Sequence, residues 1–248
     1  AAALAVGVSA AMLVVLATVI FTRSRAGWIG LSVALIGWAF FAAWLHGGRR
    51  FRIALGIAAV VSAVAVIAAA AVVGPSLVAQ ATEAGQAGPA VDAVMQQLSL
   101  DARVEIWSRA IYALQDFPFT GVGLGTFRRV VNLLYPLFLV PPDSDIAHAH
   151  NVFLQVGVDI GLGGLVGYAG LVLAAAVTAW QAARSSSRFT GSVALGLLAG
   201  MIGLHVYGLA DTLALGSKPG LLFWLALGLI VALPRVEAGL PRAEERSD

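Results

Sequence analysis

Two histidines one residue apart, His148 and His150, sit in the run AHAHNVFLQVGVDIGLGG (147–164), where a polar stretch passes straight into an apolar, glycine-punctuated segment. Ionisable groups at such a boundary are costly to desolvate unless a partner or a task compensates. The junction therefore reads as an active site. A neutral imidazole can accept the proton of an attacking hydroxyl and contribute ~10²- to 10⁴-fold to a rate. His148 and His150 also form an HxH pair that could bind zinc, but two ligands at this spacing do not compel a site, so no metal and no cofactor are expected. His148 by itself reads as a loop residue rather than a second base.

The cations ask for an anion. Arg23 and Arg25 crowd a very short connection, TRSRAG. Arg103 falls in the middle of an apolar helical face, where it needs a buried anion, a pair or a ligand. Guanidinium groups neutralise phosphate oxygens by bidentate hydrogen bonds without a proton equilibrium. The chain carries fourteen arginines and one lysine, a bias that a GC-rich genome could also produce.

The elements that must position these groups are membrane helices. With 60% apolar residues, 11% charged and a mean hydropathy of +0.90, the composition is that of an integral membrane chain. A net charge of +2 argues against nucleic acid, and the absence of cysteine removes disulfides and thiolate metal sites. The expected fold is all-α, a polytopic helical bundle with about six transmembrane helices, at about 1–21, 28–45, 53–73, 152–180, 191–209 and 221–233, each close to the ~20 residues a crossing needs. The fourth is long and rich in glycine and is expected to be tilted or interrupted. Residues 75–149 form one large extracytoplasmic loop and 234–248 a charged, disordered tail. The chain does not begin with Met, and upstream helices are expected to be missing. Arginines after crossings two, four and six assign those segments to the cytoplasm. The histidines, the TRSRAG turn and the 210–220 loop then face outward together, and Arg23 and Arg25 become cations on the side that normally avoids them, for a ligand or for lipid headgroups.

Within the large loop, residues 99–116 form a helix with Ser99 or Asp101 as its cap. At ~100° per residue, Asp101, Glu105, Ser108, Tyr112 and Asp116 share a wet face, on which Glu105 and Arg109 form a solvated pair; Arg103, Trp107, Ala110 and Leu114 lie opposite. Gly121, Gly123 and Gly125 precede a further helix, as a tight turn or, less specifically, an anion cradle. Gly163 and Gly167 read as a close-packing seam between helices.

The runs ARVEIWSRAIYALQDFPFTGVGLGTF and HAHNVFLQVGVDIGLGG resemble the signature region of the O-antigen ligase and O-antigen polymerase superfamily, over roughly residues 22–233. The His150-Asn151 pair, with Gly161 and Gly164 following, fits the ligase-type histidine motif. The resemblance implies a glycosyltransferase of the bacterial inner membrane. It would move a glycan from a polyprenyl-diphosphate carrier to a lipid, glycan or protein acceptor hydroxyl at the outer, periplasmic face. By position it implies His150 as base, Arg25, Arg103 and Arg23 for the diphosphate, and Asn151, Asp159, His205 and Asp211 in support. Asp159 stands where the family commonly has glutamate, and the residue alone reads as a cap or pair at a helix break. Ile29 replaces the leucine expected four residues after Arg25, and six crossings are fewer than the family's usual ten or more. Two alternatives stand beside the ligase: a polymerase of the same superfamily, and a permease or flippase whose interrupted fourth helix lines a substrate path.

Overall fold

Long uncharged runs of Ala, Leu, Val and Gly leave the backbone without water as a partner, and an α-helix satisfies its N–H and C=O groups inside the segment. The computed structural model describes residues 2–21, 24–50, 53–54, 57, 90–140, 145–212 and 218–238, and all its regular elements among them are helical. They are α1 (Ala2–Phe21), α2 (Arg25–His46), α3 (Ala90–Asp116), α4 (Phe127–Leu134), α5 (Val152–Ala183), α6 (Arg188–Tyr207) and α7 (Lys218–Ala238). By length and composition Ala26–Leu45, Val152–Ala183 and Arg188–Tyr207 can cross a membrane, and Gly220–Val236 is a shorter apolar helix. The expected third crossing, apart from residues 53, 54 and 57, lies outside the described residues, as does the tail beyond Ala238. Helix α7 runs past Pro234, where the tail was expected to begin. A proline this near a helix end removes only one of the last ladder bonds.

Helices α5, α6 and α7 share a core of Val156, Tyr168, Ala175, Ala179, Leu198, Met201, Phe223, Leu227 and Ile230. Their outer faces stay apolar: Val166, Leu173, Leu221 and Leu222 are each at least 65% exposed, as a bilayer rather than water would tolerate. Helix α2 crosses α6 where two glycines meet. A Cβ on Gly30 would come within 2.7 Å of the Gly203 carbonyl, and one on Gly203 within 2.6 Å of the Gly30 carbonyl, the small-residue contact that lets membrane helices approach. The expected seam at Gly163 and Gly167 is not formed among the described residues, since both face open space. The Gly30 contact also reaches Tyr207, so the start of α2 and the end of α6 lie at one end of the bundle.

A second core caps that end. Ile106, Ala110 and Ala113 of α3, Phe127 and Val131 of α4, then Tyr135, Val140, Ile146, Ala149 and Val158 pack together. Helix α3 begins at Ala90, so neither Ser99 nor Asp101 caps it. Its wet face is drier than the periodicity suggests. The chain after α4 folds back over it, and Glu105, 9% exposed, accepts the Phe138 and Leu139 amides at 2.7 and 2.8 Å. Arg109 reaches Glu105 at 3.4 Å, donates to the Pro136 carbonyl at 2.9 Å and lies over the Tyr112 and Phe138 rings. The pair is therefore a half-buried clamp on the returning loop rather than a solvated one.

Candidate functional site

The histidine loop is held from three directions. Asn151 caps α5, its Oδ1 accepting from Phe153 and Leu154 at 3.0 and 3.1 Å, while its Nδ2 donates to the Leu209 carbonyl at 3.1 Å. The Val152 amide donates to the Gly208 carbonyl at 2.7 Å, so the start of α5 is tied to the loop after α6. Gln155 Oε1 accepts the Ala149 amide at 2.7 Å, and Trp107 Nε1 reaches the His150 carbonyl at 3.3 Å. His150 alone among described non-glycine residues has positive φ, at 48°. That left-handed conformation costs ~1–2 kcal/mol.

What the ring faces is Asp211. His150 Nδ1 lies 3.4 Å from Asp211 Oδ1, within ion-pair range but without hydrogen-bond alignment. Asp211 Oδ2 accepts from the Tyr207 hydroxyl at 2.7 Å, and Oδ1 accepts the Thr212 amide at 2.8 Å. Burial alone would raise the Asp211 carboxyl, but His150, the Tyr207 hydroxyl and the Thr212 amide outweigh it and hold the group well below the usual carboxylate range. It is an anion at neutral pH, fixed against one edge of the imidazole.

His148 completes the cluster, its ring edge-on to His150 with centroids 4.4 Å apart. Burial first, then the neighbouring His150, push its pKa below the ordinary histidine value, against the opposing pull of Asp211. The third ligating group beside the HxH pair is Asp211 rather than the nearby Asp145, which pairs with Arg128; ligand atoms of the three lie within 4.8 Å of one another. Sequence separation had hidden it.

Arg103 arrives from α3, one turn before Trp107 on the same face. Its charge acts on the Tyr207 hydroxyl, which in turn holds Asp211. Half-buried as expected, Arg103 pairs with no carboxylate among the described residues. Ser24 caps α2 through the Gly27 amide at 3.1 Å, putting Arg25 at the first helical position, at the same end of the bundle. The Arg25 side chain and Arg23 lie outside the described residues.

The remaining motif residues build the support. Helix α5 breaks at Ile160 and Gly161, the latter at φ 72° and ψ −177°, so the expected interruption falls on the motif glycine. Against the break packs the glycine turn. The Val122 and Gly123 amides donate to the Val158 and Asp159 carbonyls at 2.7 and 3.2 Å, and a Cβ on Gly121 would strike the same backbone. Asp159 Oδ1 accepts the Gly125 amide at 3.3 Å and Gln155 Nε2 at 2.8 Å. A carboxyl group does sit on this turn, and it is the protein's own. At Gly164 any Cβ would meet the Ile160 side chain, which the break folds over it.

His205 does not join the His148, His150 and Asp211 cluster. Its Nδ1 lies 2.7 Å from the Met201 carbonyl and its Nε2 2.9 Å from the Tyr168 hydroxyl. It borders an apolar groove of about 310 Å³ between α5 and α6, also lined by Phe153, Val172, Met201 and Leu209. Gln155 and Tyr207 are parts of the site that sequence reasoning missed; an apolar run carrying a glutamine one turn into α5 was the available signal for the first.

The family model described as O-antigen ligase matches residues 10–169, more than half of the chain. The chain belongs to the O-antigen ligase family. No curated protein matches it. The match includes Arg25, Arg103, His150, Asp159 and Gly164 of this O-antigen ligase family member, and His205 and Asp211 lie beyond it. Membership makes the chain a ligase- or polymerase-type enzyme of a family that acts on lipid-linked glycans, which favours the enzyme over the permease.

Proposed function

We propose that the protein transfers a glycan from a polyprenyl-diphosphate carrier to an acceptor hydroxyl at the outer face of the inner membrane, with His150 as general base. The observation that carries this reading is the His150 Nδ1 to Asp211 Oδ1 approach of 3.4 Å. A carboxylate facing one ring nitrogen favours the proton on that nitrogen and leaves the other, Nε2, to accept. In the step itself, Nε2 takes the acceptor proton while the acceptor oxygen attacks the anomeric carbon. The bond from that carbon to the diphosphate breaks, and polyprenyl diphosphate leaves with the bonding electrons. Asp211 stabilises the imidazolium that forms.

The leaving group concentrates negative charge, and Arg103, with Arg25 at the same end and Arg23 two residues before it in the sequence, supplies cations for it. Arg103 lacks a carboxylate partner among the described residues, which leaves its charge available to a ligand. The apolar groove beside Phe153 and His205 suits a prenyl chain. Asn151, Asp159, Gly161 and Gly164 act by holding the loop and the α5 break. Cells lacking the native gene and expressing His150→Ala at normal abundance should lose glycan attachment. Wild-type product from that variant would overturn the proposal.

A further inference from the structure

Buried ring nitrogens ordinarily have a partner, yet His148 Nδ1 and His150 Nδ1 are both buried and both lack one. They lie beside an anionic Asp211, and one ligand atom from each of the three residues falls within a 4.8 Å span. Two ligands each ~2.1 Å from a tetrahedral Zn²⁺ stand ~3.4 Å apart. The His150 Nδ1 to Asp211 Oδ1 separation is 3.4 Å. His148 lies on a loop rather than within a helix, and its ligand atom is within 4.8 Å of the other two. Two imidazoles and one carboxylate suit Zn²⁺ rather than Mg²⁺, which prefers oxygen ligands and its own waters.

We infer that His148, His150 and Asp211 form a three-ligand Zn²⁺ site whose occupation switches transfer off. This rests on His150 being the base. Zn²⁺ takes the Nδ1 lone pair of a neutral imidazole, so the ring must keep its proton on Nε2, the atom that has to accept one from the acceptor. Zn²⁺ also cancels the Asp211 charge that would stabilise the imidazolium. A bound ion and a working base exclude each other.

The full chain reconstituted in nanodiscs tests this with Zn²⁺ alone as the probe, by calorimetry and by metal content after gel filtration. One Zn²⁺ per chain is expected, at micromolar affinity or tighter, with binding at least ~10-fold weaker in His148→Gln and in Asp211→Asn and no comparable heat from Mg²⁺. Transfer by the wild type should stop on adding Zn²⁺ and return with a chelator. Absence of stoichiometric binding, equal binding by both variants, or transfer that is unchanged or raised by Zn²⁺ overturns the inference. Calorimetry needs no transfer, so the two readings fail separately: His150→Ala that still transfers would sink the base while leaving the metal site standing.

Discussion

Gly161 offers the sharpest test of how the site is supported, because its neighbour Gly163 provides a control two residues away on the same helix. At φ 72° and ψ −177° Gly161 occupies a region open essentially to glycine alone, and a side chain there costs ~1–3 kcal/mol in backbone strain. A Cβ would also strike the Phe119 carbonyl and come within 2.8 Å of the Pro118 carbonyl. That collision disturbs the Leu162 amide, which donates to Pro118 at 2.7 Å, a bond worth ~1 kcal/mol. Together these give ~2–4 kcal/mol for Gly161→Ala, or a melting temperature lower by roughly 5–15 °C for a chain of this size. Gly163 has nothing within 4 Å, so Gly163→Ala should be neutral or stabilising by up to ~1 kcal/mol. Thermal unfolding in nanodiscs, followed by tryptophan fluorescence, compares the two directly. Equal melting of both variants would refute the claim that the break is built on Gly161.

Two further outcomes follow from the loop. Glu105→Ala strips the carboxylate from the Phe138 and Leu139 amides and from Arg109, and should cost ~2–3 kcal/mol and open residues 135–140 to limited proteolysis, whereas Glu105 on a solvated face would change neither. His148 has a folded pKa below its unfolded value, so the unfolded chain binds more protons and stability rises with pH; that contribution is full above the unfolded pKa of ~6.5 and is lost as pH falls toward the folded value. Wild-type melting temperature should therefore drop more than that of His148→Gln between pH 7.5 and 5.5, a range in which Asp211, with its depressed pKa, stays ionised in both states.

Local chemistry was legible in the chain, and long-range closure was not. The amphipathic period of α3 put Arg103 and Trp107 on one face, and the structure turns that face to the His150 carbonyl. Glycine density in 152–180 signalled an interrupted helix, and the break falls at Gly161. Asn151 read as part of the histidine motif and caps α5. In contrast, the charge pattern puts the 210–220 loop on the histidine side, but nothing local announces that Asp211 itself meets His150, since two antiparallel helices must pack before the residues touch. Glu105 looked wet for the same reason: the segment that buries it lies after α4. Gly163 and Gly167 carried the spacing of a packing seam, while the contact that needs small residues forms at Gly30 and Gly203, because the seam depends on which helix arrives.

In the proposed step one imidazole, steadied by a carboxylate, takes the acceptor proton beside arginine-bound diphosphate. The direct measurement is transfer from a purified polyprenyl-diphosphate glycan by the reconstituted chain, with donor binding measured alongside. His150→Ala should lower the transfer rate by at least ~100-fold while donor binding persists, and Arg103→Ala should weaken donor binding. A His150→Ala rate within a few-fold of wild type would contradict the account.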